Sequence, residues 1–347
     1  MERLTTELSE KALALKMGLE SSVIGQPRAV RHTVHALERV WSGLTHPDHP
    51  PAILMFLGPT GVGKTELARA LAGELLGSKS ALTRIDCAEF QHRHEVAKLI
   101  GSPPGYLGFT EKDTARLSQK KLDQFQAPGH AINILLIDEI EKAADDFFDM
   151  MLGIFDSATV TLGSGETTDF SKTIILITSN LSSKETQQKI HNSGIGFYSA
   201  KADRDELDKD IWRTTKEAVR KFFRPEFINR IDKFISFHSL DETSLRRILN
   251  INLNDIQHRL LTAGHNIILF VTAEAKDYFI QQGTSEAFGA RELKRVLEAQ
   301  LVTPLSSIIA SGRATDGDLI EIGFDDKLIF SRKEGFKPEL KTMVKGG

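Results

Sequence analysis

The sequence predicts an α/β fold: a mainly parallel sheet with helices on both faces, followed by a smaller, mostly helical unit with short strands. Three observations carry this. Apolar runs of strand length alternate with stretches of helical periodicity over the first two thirds of the chain, as in sheets covered on both faces. A glycine-rich turn, GPTGVGKT from Gly58 to Thr65, stands between one such run and a helix. After about residue 238 the strand-like runs give way to helical spacing, which ends in two short strand-like segments.

Taken in order, residues 1–20 read as an amphipathic helix, and Val23-Ile24-Gly25-Gln26 precedes a second helix at about 27–42. HPDHPP at 46–51 breaks the chain. Ala52 to Leu57 is a short continuous apolar run, a buried strand. The helix opening near Lys64 carries Leu67, Ala68, Leu71, Leu75 and Leu76 on one face, with Gly77 as its stop. Further strands are expected near Thr83–Asp86, Ile132–Ile137 and Ile174–Thr178. A helix carries Phe147, Phe148, Met151, Leu152 and Phe155, and a long one at about 205–223 ends at Pro225. Ser239-Leu240-Asp241-Glu242 has the pattern of a capping box, opening a helix that stops near Gly264. Helices near 273–282 and 290–311 follow, then a turn at Asp316-Gly317-Asp318 and strands at 319–323 and 327–332.

Bulk properties narrow the function classes. The 347 residues, 40% hydrophobic and 26% charged, suit a folded chain of about two domains. A net charge of −3 argues against a protein that grips nucleic acid through its phosphates. Cys87 is the single cysteine, so no internal disulfide forms, which fits a reducing compartment. No apolar stretch approaches the roughly 20 residues of a membrane span, and the start lacks a signal-peptide run. No membrane association and a cytoplasmic location are expected.

The chemistry concentrates in four segments. In Gly58-Pro59-Thr60-Gly61-Val62-Gly63-Lys64-Thr65, glycines let backbone N–H groups turn inward around a phosphate, and the helix N-terminus adds its positive end. Lys64 reaches the outer phosphates, and the Thr65 hydroxyl suits Mg²⁺, so ATP and Mg²⁺ are the expected ligands. In ILLIDE, Ile134 to Glu139, two acids close a buried strand at the end where open α/β sheets bind ligands. Asp138 would hold Mg²⁺, and Glu139 would orient and deprotonate the attacking water. Asn180 ends ILITSN and would position that water against the γ-phosphate; read alone, it only starts a turn. GSPPGYLGF, Gly101 to Phe109, is too rich in proline and glycine for helix or central strand. It presents Tyr106 on a loop, where a ring more commonly folds back on the core.

GPTGVGKT, GSPPGYLGF, ILLIDEIEKA, ILITSNL, FRPEFINRID and FGARELKR together resemble the Clp family of AAA+ protein unfoldases. The set is most similar to the second ATPase domain of the two-ring members, from about Val23 to Phe330. The resemblance implies a P-loop AAA+ module with an N-terminal helix at 1–22, a large nucleotide-binding domain at 23–237, a small lid domain at 238–332 and a polar tail at 333–347. It implies that Val23 and Ile24 flank the adenine. Arg230 matches the arginine finger that reaches a neighbouring subunit's ATP, and Arg291 matches the sensor arginine that touches ATP from within the subunit. Read alone, Arg230 would be a surface ion pair with Asp232, and Arg291 an exposed first-turn helix residue. A finger requires a neighbour, and such heterologous contacts close into rings; the family implies a homo-hexamer. Tyr106, flanked by Leu107, would then line an axial channel and grip a protein substrate, with Leu162–Asp169 as a second channel loop.

Several features depart from the larger members. The chain before Gly58 is short, so neither a first ATPase ring nor a substrate-receiving domain is expected. The 110–133 segment is longer than the usual bridge, and the glycine pair after the tyrosine is missing. An adaptor or a dedicated client would then set substrate choice. Ile195-Gly196-Phe197 resembles the hook by which some members dock on a Clp-type peptidase; the plainer reading tucks it onto its own domain. The leading expectation is an ATP-driven unfoldase feeding a peptidase. The rivals are a disassembly chaperone without a peptidase and a nucleic-acid-associated AAA+ switch, which the acidic balance and the Tyr106 loop disfavour.

Overall fold

The computed structural model describes residues 8–101, 115–126, 132–181, 201–283 and 289–334, with the backbone alone of 201–211. The chain divides into two compact units, Met1–Ser239 and Leu240–Gly347.

In the first unit, α1 (Glu10–Ser22) starts later than its charge pattern suggests, because the Ser9 Oγ accepts the Ala12 N–H at 3.2 Å and caps it there. Then come α2 (Pro27–Trp41), β1 (Ala52–Leu57), α3 (Lys64–Leu76), β2 (Thr83–Asp86), α4 (Arg93–Ile100), α5 (Gln119–Asp123), β3 (Asn133–Asp138) and α6 (Asp145–Ser157). A hairpin of β4 (Thr159–Thr161) and β5 (Thr167–Asp169) places a turn within the glycine-bearing 162–166 segment. β6 (Thr173–Ser179), a helix at Lys201–Phe222, a short one at Pro225–Ile228 and β7 (Lys233–Ser236) complete the unit.

The five-stranded sheet runs β2-β3-β6-β1-β7, and every pair in it is parallel. β1, β3 and β6 are buried at every position, as strands covered on both faces must be. Alternate residues divide between two apolar layers. Met55, Ile85, Ile137, Phe147, Phe155 and Phe227 share one layer. Leu54, Phe56, Leu136 and Leu71 share the other with Ala12, Leu15 and Leu19 of α1, so that helix is part of the large core.

The second unit holds helices at Glu242–Thr262, Ala273–Gly283, Ala290–Leu297 and Thr303–Ala310, and a sheet of β8 (Ile268–Val271), β9 (Leu319–Asp325) and β10 (Lys327–Lys333) in the order β10-β9-β8. Leu249, Phe279, Leu293, Leu301 and Ile322 form its core. Gly283 permits close helix packing: a Cβ there would lie 2.7 Å from the Leu293 Cα. Two expectations are corrected here. The cap at 239–242 is Asp241, whose carboxylate accepts the Ser244 N–H at 2.8 Å, because the helix begins at Glu242 rather than beside Ser239. The single helix expected over 290–311 contains a π-turn at Glu298–Val302, where the Thr303 N–H reaches the Glu298 carbonyl. Pro304 follows and has no N–H to offer the regular ladder. Among the described residues no helix is long and apolar enough to cross a membrane.

Candidate active site

β3, β6 and β1 lie side by side, so their C-terminal ends bring three sequence-distant segments together. The Gly58–Gly63 turn follows β1, Asp138 ends β3 with Glu139 next, and Asn180 follows β6. Gly58, Gly61 and Gly63 have φ of 149°, 77° and 106°, which side-chain-bearing residues rarely adopt. At Gly58 the tertiary structure adds a second reason: a Cβ would come within 2.5 Å of the Phe237 carbonyl oxygen.

Lys64 is buried, and its Nζ donates to the carbonyls of Gly58 at 2.6 Å and Pro59 at 2.5 Å and to Asn180 Oδ1 at 2.8 Å. The ammonium thus folds over its own loop, and the Asn180 amide oxygen ties β6 to it. Thr65 Oγ1 donates to Asp138 Oδ1 at 3.1 Å. Thr178, on β6, donates to the same oxygen at 2.6 Å and accepts the Glu139 N–H at 2.9 Å, so one hydroxyl holds both acidic residues. Arg84 Nη2 and Nε reach Asp138 Oδ2 at 2.6 and 3.1 Å. Asp138 is 3% exposed and fully engaged.

Glu139 has a left-handed backbone, φ 56° and ψ 51°, a conformation that costs a non-glycine residue about 1–3 kcal/mol. Its carboxylate accepts from Asn180 Nδ2 at 3.3 Å and from Lys142 Nζ. That hydrogen bond with Glu139 holds the Lys142 ammonium above its usual range. The Asn180 N–H is in turn held by Glu141 Oε1 at 3.0 Å. The oxygens of Thr65 and Asp138, 3.1 Å apart, form a hard-oxygen donor pair that fits Mg²⁺. Val23 and Ile24 are 4% and 5% exposed. A Cβ on Gly63 would touch the Val23 side chain at 3.7 Å, so Val23 does lie against the phosphate turn. Gln26 clamps the same place, donating to the Val62 carbonyl at 3.2 Å and the His238 carbonyl at 2.8 Å.

Arg230 is elsewhere. It precedes β7, where Asp232 exchanges hydrogen bonds with Ile53 near the start of β1. Its expected partner Asp232 is taken by Arg39 at 2.7 Å, and Arg230 Nε pairs instead with Asp156 at the end of α6. Both line an open cleft of about 470 Å³ with Arg39, His49, Pro50 and Asn229. Arg291 belongs to the second unit, exposed in the first turn of Ala290–Leu297 and without a polar contact among the described residues. Tyr106, Leu107, Ile195, Gly196 and Phe197 lie outside the described residues.

Sequence reasoning missed Arg84, Thr178, Gln26 and Asp156. Arg84 and Asp86 fall on one face of a strand two apart, a legible signal. That β2 neighbours β3, which aims Arg84 at Asp138, was not legible.

A family model described as "AAA domain (Cdc48 subfamily)" matches residues 49–234, and one described as "C-terminal, D2-small domain, of ClpB protein" matches 240–322. "Chaperone protein ClpB 1" of Thermosynechococcus vestitus is 38% identical over 335 residues, 96% of this chain and 36% of that protein. "ATP-dependent Clp protease ATP-binding subunit ClpC" of Staphylococcus aureus is 38% identical over 319 residues, 92% of this chain and 37% of that protein. A solved structure described as "Closed State CryoEM Reconstruction of Hsp104:ATPyS and FITC casein" superposes with a TM-score of 0.77 at 31% identity, covering 95% of this chain and 53% of that one. The chain spans about a third of the length of the curated relatives it matches. With the phosphate turn, the acidic strand end and Asn180 assembled on adjacent parallel strands, the chain belongs to the Clp family of AAA+ ATPases and resembles their second ATPase domain.

Proposed function

We propose that the chain hydrolyses ATP at sites shared between neighbouring copies in a hexameric ring and uses the cycle to pull a polypeptide through the ring. The observation that carries this reading is the position of Arg230. The phosphate turn lies past Leu57 at one end of β1, while Arg230 lies beside Ile53 at the other. At about 3.3 Å per residue, that separation exceeds the reach of a side chain. Arg230 therefore falls short of the phosphate turn of its own chain, and as a finger it would act on the ATP of the next copy.

Within one site the chain's residues divide the work. The backbone N–H groups of 60–63 and Lys64 receive the phosphates, Lys64 exchanging the carbonyls of Gly58 and Pro59 for phosphate oxygens. Thr65 and Asp138 would hold Mg²⁺, which when bound offsets phosphate charge. Glu139 leaves Lys142 to accept a proton from water, and Asn180, already bonded to Glu139 and Lys64, orients that water. Val23 and Ile24 would pack on the adenine, and Arg291 would sense the nucleotide from the small unit. The arginine's charge at the transferred phosphoryl is worth roughly 10³–10⁵ in rate in related chemistry.

Tyr106 and Leu107 would line the channel, with the β4–β5 turn as a second contact. The structural relative described with ATPyS and FITC casein supports a polypeptide substrate. Docking of a Clp-type peptidase through Ile195–Phe197 rests on the likeness of that motif to a peptidase hook and on the likeness of the chain to ClpC, and a disassembly chaperone without a peptidase is the second reading.

Mixing variants tests the shared site. Glu139→Gln and Arg230→Ala should each be nearly inactive alone, yet regain a measurable fraction of ATP turnover when co-assembled. The intact Arg230 of one then faces the intact Glu139 of the other. Mixed rings that stay as inactive as their parents would sink the reading.

A further inference from the structure

Among the described residues, Asp156 is the sole polar partner of the Arg230 side chain, and it grips a particular edge of the guanidinium, Nε. The backbones on either side are held by packing and hydrogen bonds. Phe227, three residues before Arg230, stacks on Phe223 at 5.3 Å and meets Phe148 at 5.4 Å and Phe155 at 5.5 Å. Phe155 in turn immediately precedes Asp156. Two residues past Arg230, Asp232 is bonded to Ile53 and Arg39. One aromatic cluster thus sets the spacing between the Arg230 and Asp156 backbones, and what remains free is the rotors of the two side chains.

The pair is poorly placed to stabilise the fold. Its side chains are 45% and 46% exposed, and ion pairs that open contribute little. An acid in the last turn of a helix such as α6 is also opposed by the helix dipole. The Nε contact leaves both terminal amino groups of Arg230 without a partner among the described residues, inside an open cleft. Those are the groups that meet a phosphate in fork geometry.

We propose that Asp156 is a positioning residue for the Arg230 finger: its carboxylate holds the Nε edge and so presents the terminal amino groups to the triphosphate of the neighbouring copy. This rests on the trans-acting role of Arg230 proposed above. Orientation governs only how often the finger is ready, so its loss lowers kcat and leaves ATP binding alone.

The test is steady-state ATP turnover of the assembled full chain for Asp156→Asn, Asp156→Ala, Asp156→Glu, Arg230→Ala and Arg230→Ala with Asp156→Ala. Asp156→Asn keeps the shape and guards against a folding artefact. Asp156→Asn and Asp156→Ala should each lower kcat about tenfold with KM unchanged, and Asp156→Glu should recover most of the loss. In the Arg230→Ala background, adding Asp156→Ala should change nothing further. Wild-type kcat in Asp156→Asn and Asp156→Ala beside an inactive Arg230→Ala would overturn this inference and spare the finger. An equal loss in both backgrounds would also overturn it, since that marks a purely structural role. Wild-type turnover in Arg230→Ala would remove the finger, and this inference with it.

Discussion

At the C-terminal ends of β3 and β6, Asp138 is 3% exposed and both its oxygens have donors from the same chain: Thr65, Thr178 and Arg84. At the opposite end of the sheet, near Ile53, the side chains of Arg230 and Asp156 are about half exposed in an open cleft and, among the described residues, hold only one another. At the first end the buried acid is satisfied within the one chain. A buried carboxylate without partners is costly, so its surroundings must be built before any ligand arrives. The second end is left open, and its charges are arranged in a way that serves local stability poorly. Arg291, a cation in the first turn of a helix, is set against the dipole in the same manner.

The comparison is sharpened most by Arg230→Ala. It should lower kcat by about 10³ while thermal denaturation moves by no more than a surface substitution allows, about 0.5 kcal/mol. A large loss of stability with turnover retained would reverse the assignment of the open end. At the closed end, Thr178→Val removes the hydroxyl shared by Asp138 and the Glu139 N–H. It should cost about 1–3 kcal/mol in denaturant unfolding and slow turnover as well, because Glu139 loses its anchor; an unchanged midpoint would break the contrast. Arg39→Ala, which takes the guanidinium from Asp232 and leaves its bond to the Ile53 N–H, should cost at most about 1 kcal/mol, measured the same way.

The smallest effect is expected at neither end. In the second unit, the Thr315 N–H, followed by Arg332, holds the Asp318 carboxyl below the usual carboxylate range. A carboxyl depressed in the folded state contributes stability above its unfolded pKa and loses it as pH falls through the folded one. Asp318→Asn should therefore flatten the acid limb of the stability profile and leave ATP turnover at neutral pH near wild type. An acid limb unchanged from wild type would show that Asp318 carries none of it.

Much of this was readable beforehand. The apolar runs at 52–57 and 174–178 are long enough to be strands and are buried as expected. Gly77 does end its helix, with φ 79°. The phosphate turn was legible because glycine spacing followed by Lys and Thr reflects a local backbone requirement. Less local features were not. β7 and β8 are four-residue strands without clear alternation, and they exist because β1 and β9 offer edges to pair with. The Arg230–Asp232 pair suggested by nearness in sequence gave way to Arg230–Asp156, 74 residues apart, because Asp232 is held against Ile53 and Arg39.

The amino-acid sequence alone determined which groups are present and where each strand or helix carries them, since periodicity, capping and glycine conformations act over a few residues. The tertiary structure decided which groups meet. Strand order placed Asn180 and Thr178 between the phosphate turn and the acids, put Arg84 on Asp138, and set Arg230 at the far end of β1 from its own phosphate site. Strand order follows from how both faces of a sheet are covered at once, a property of the whole folded chain that no short stretch contains.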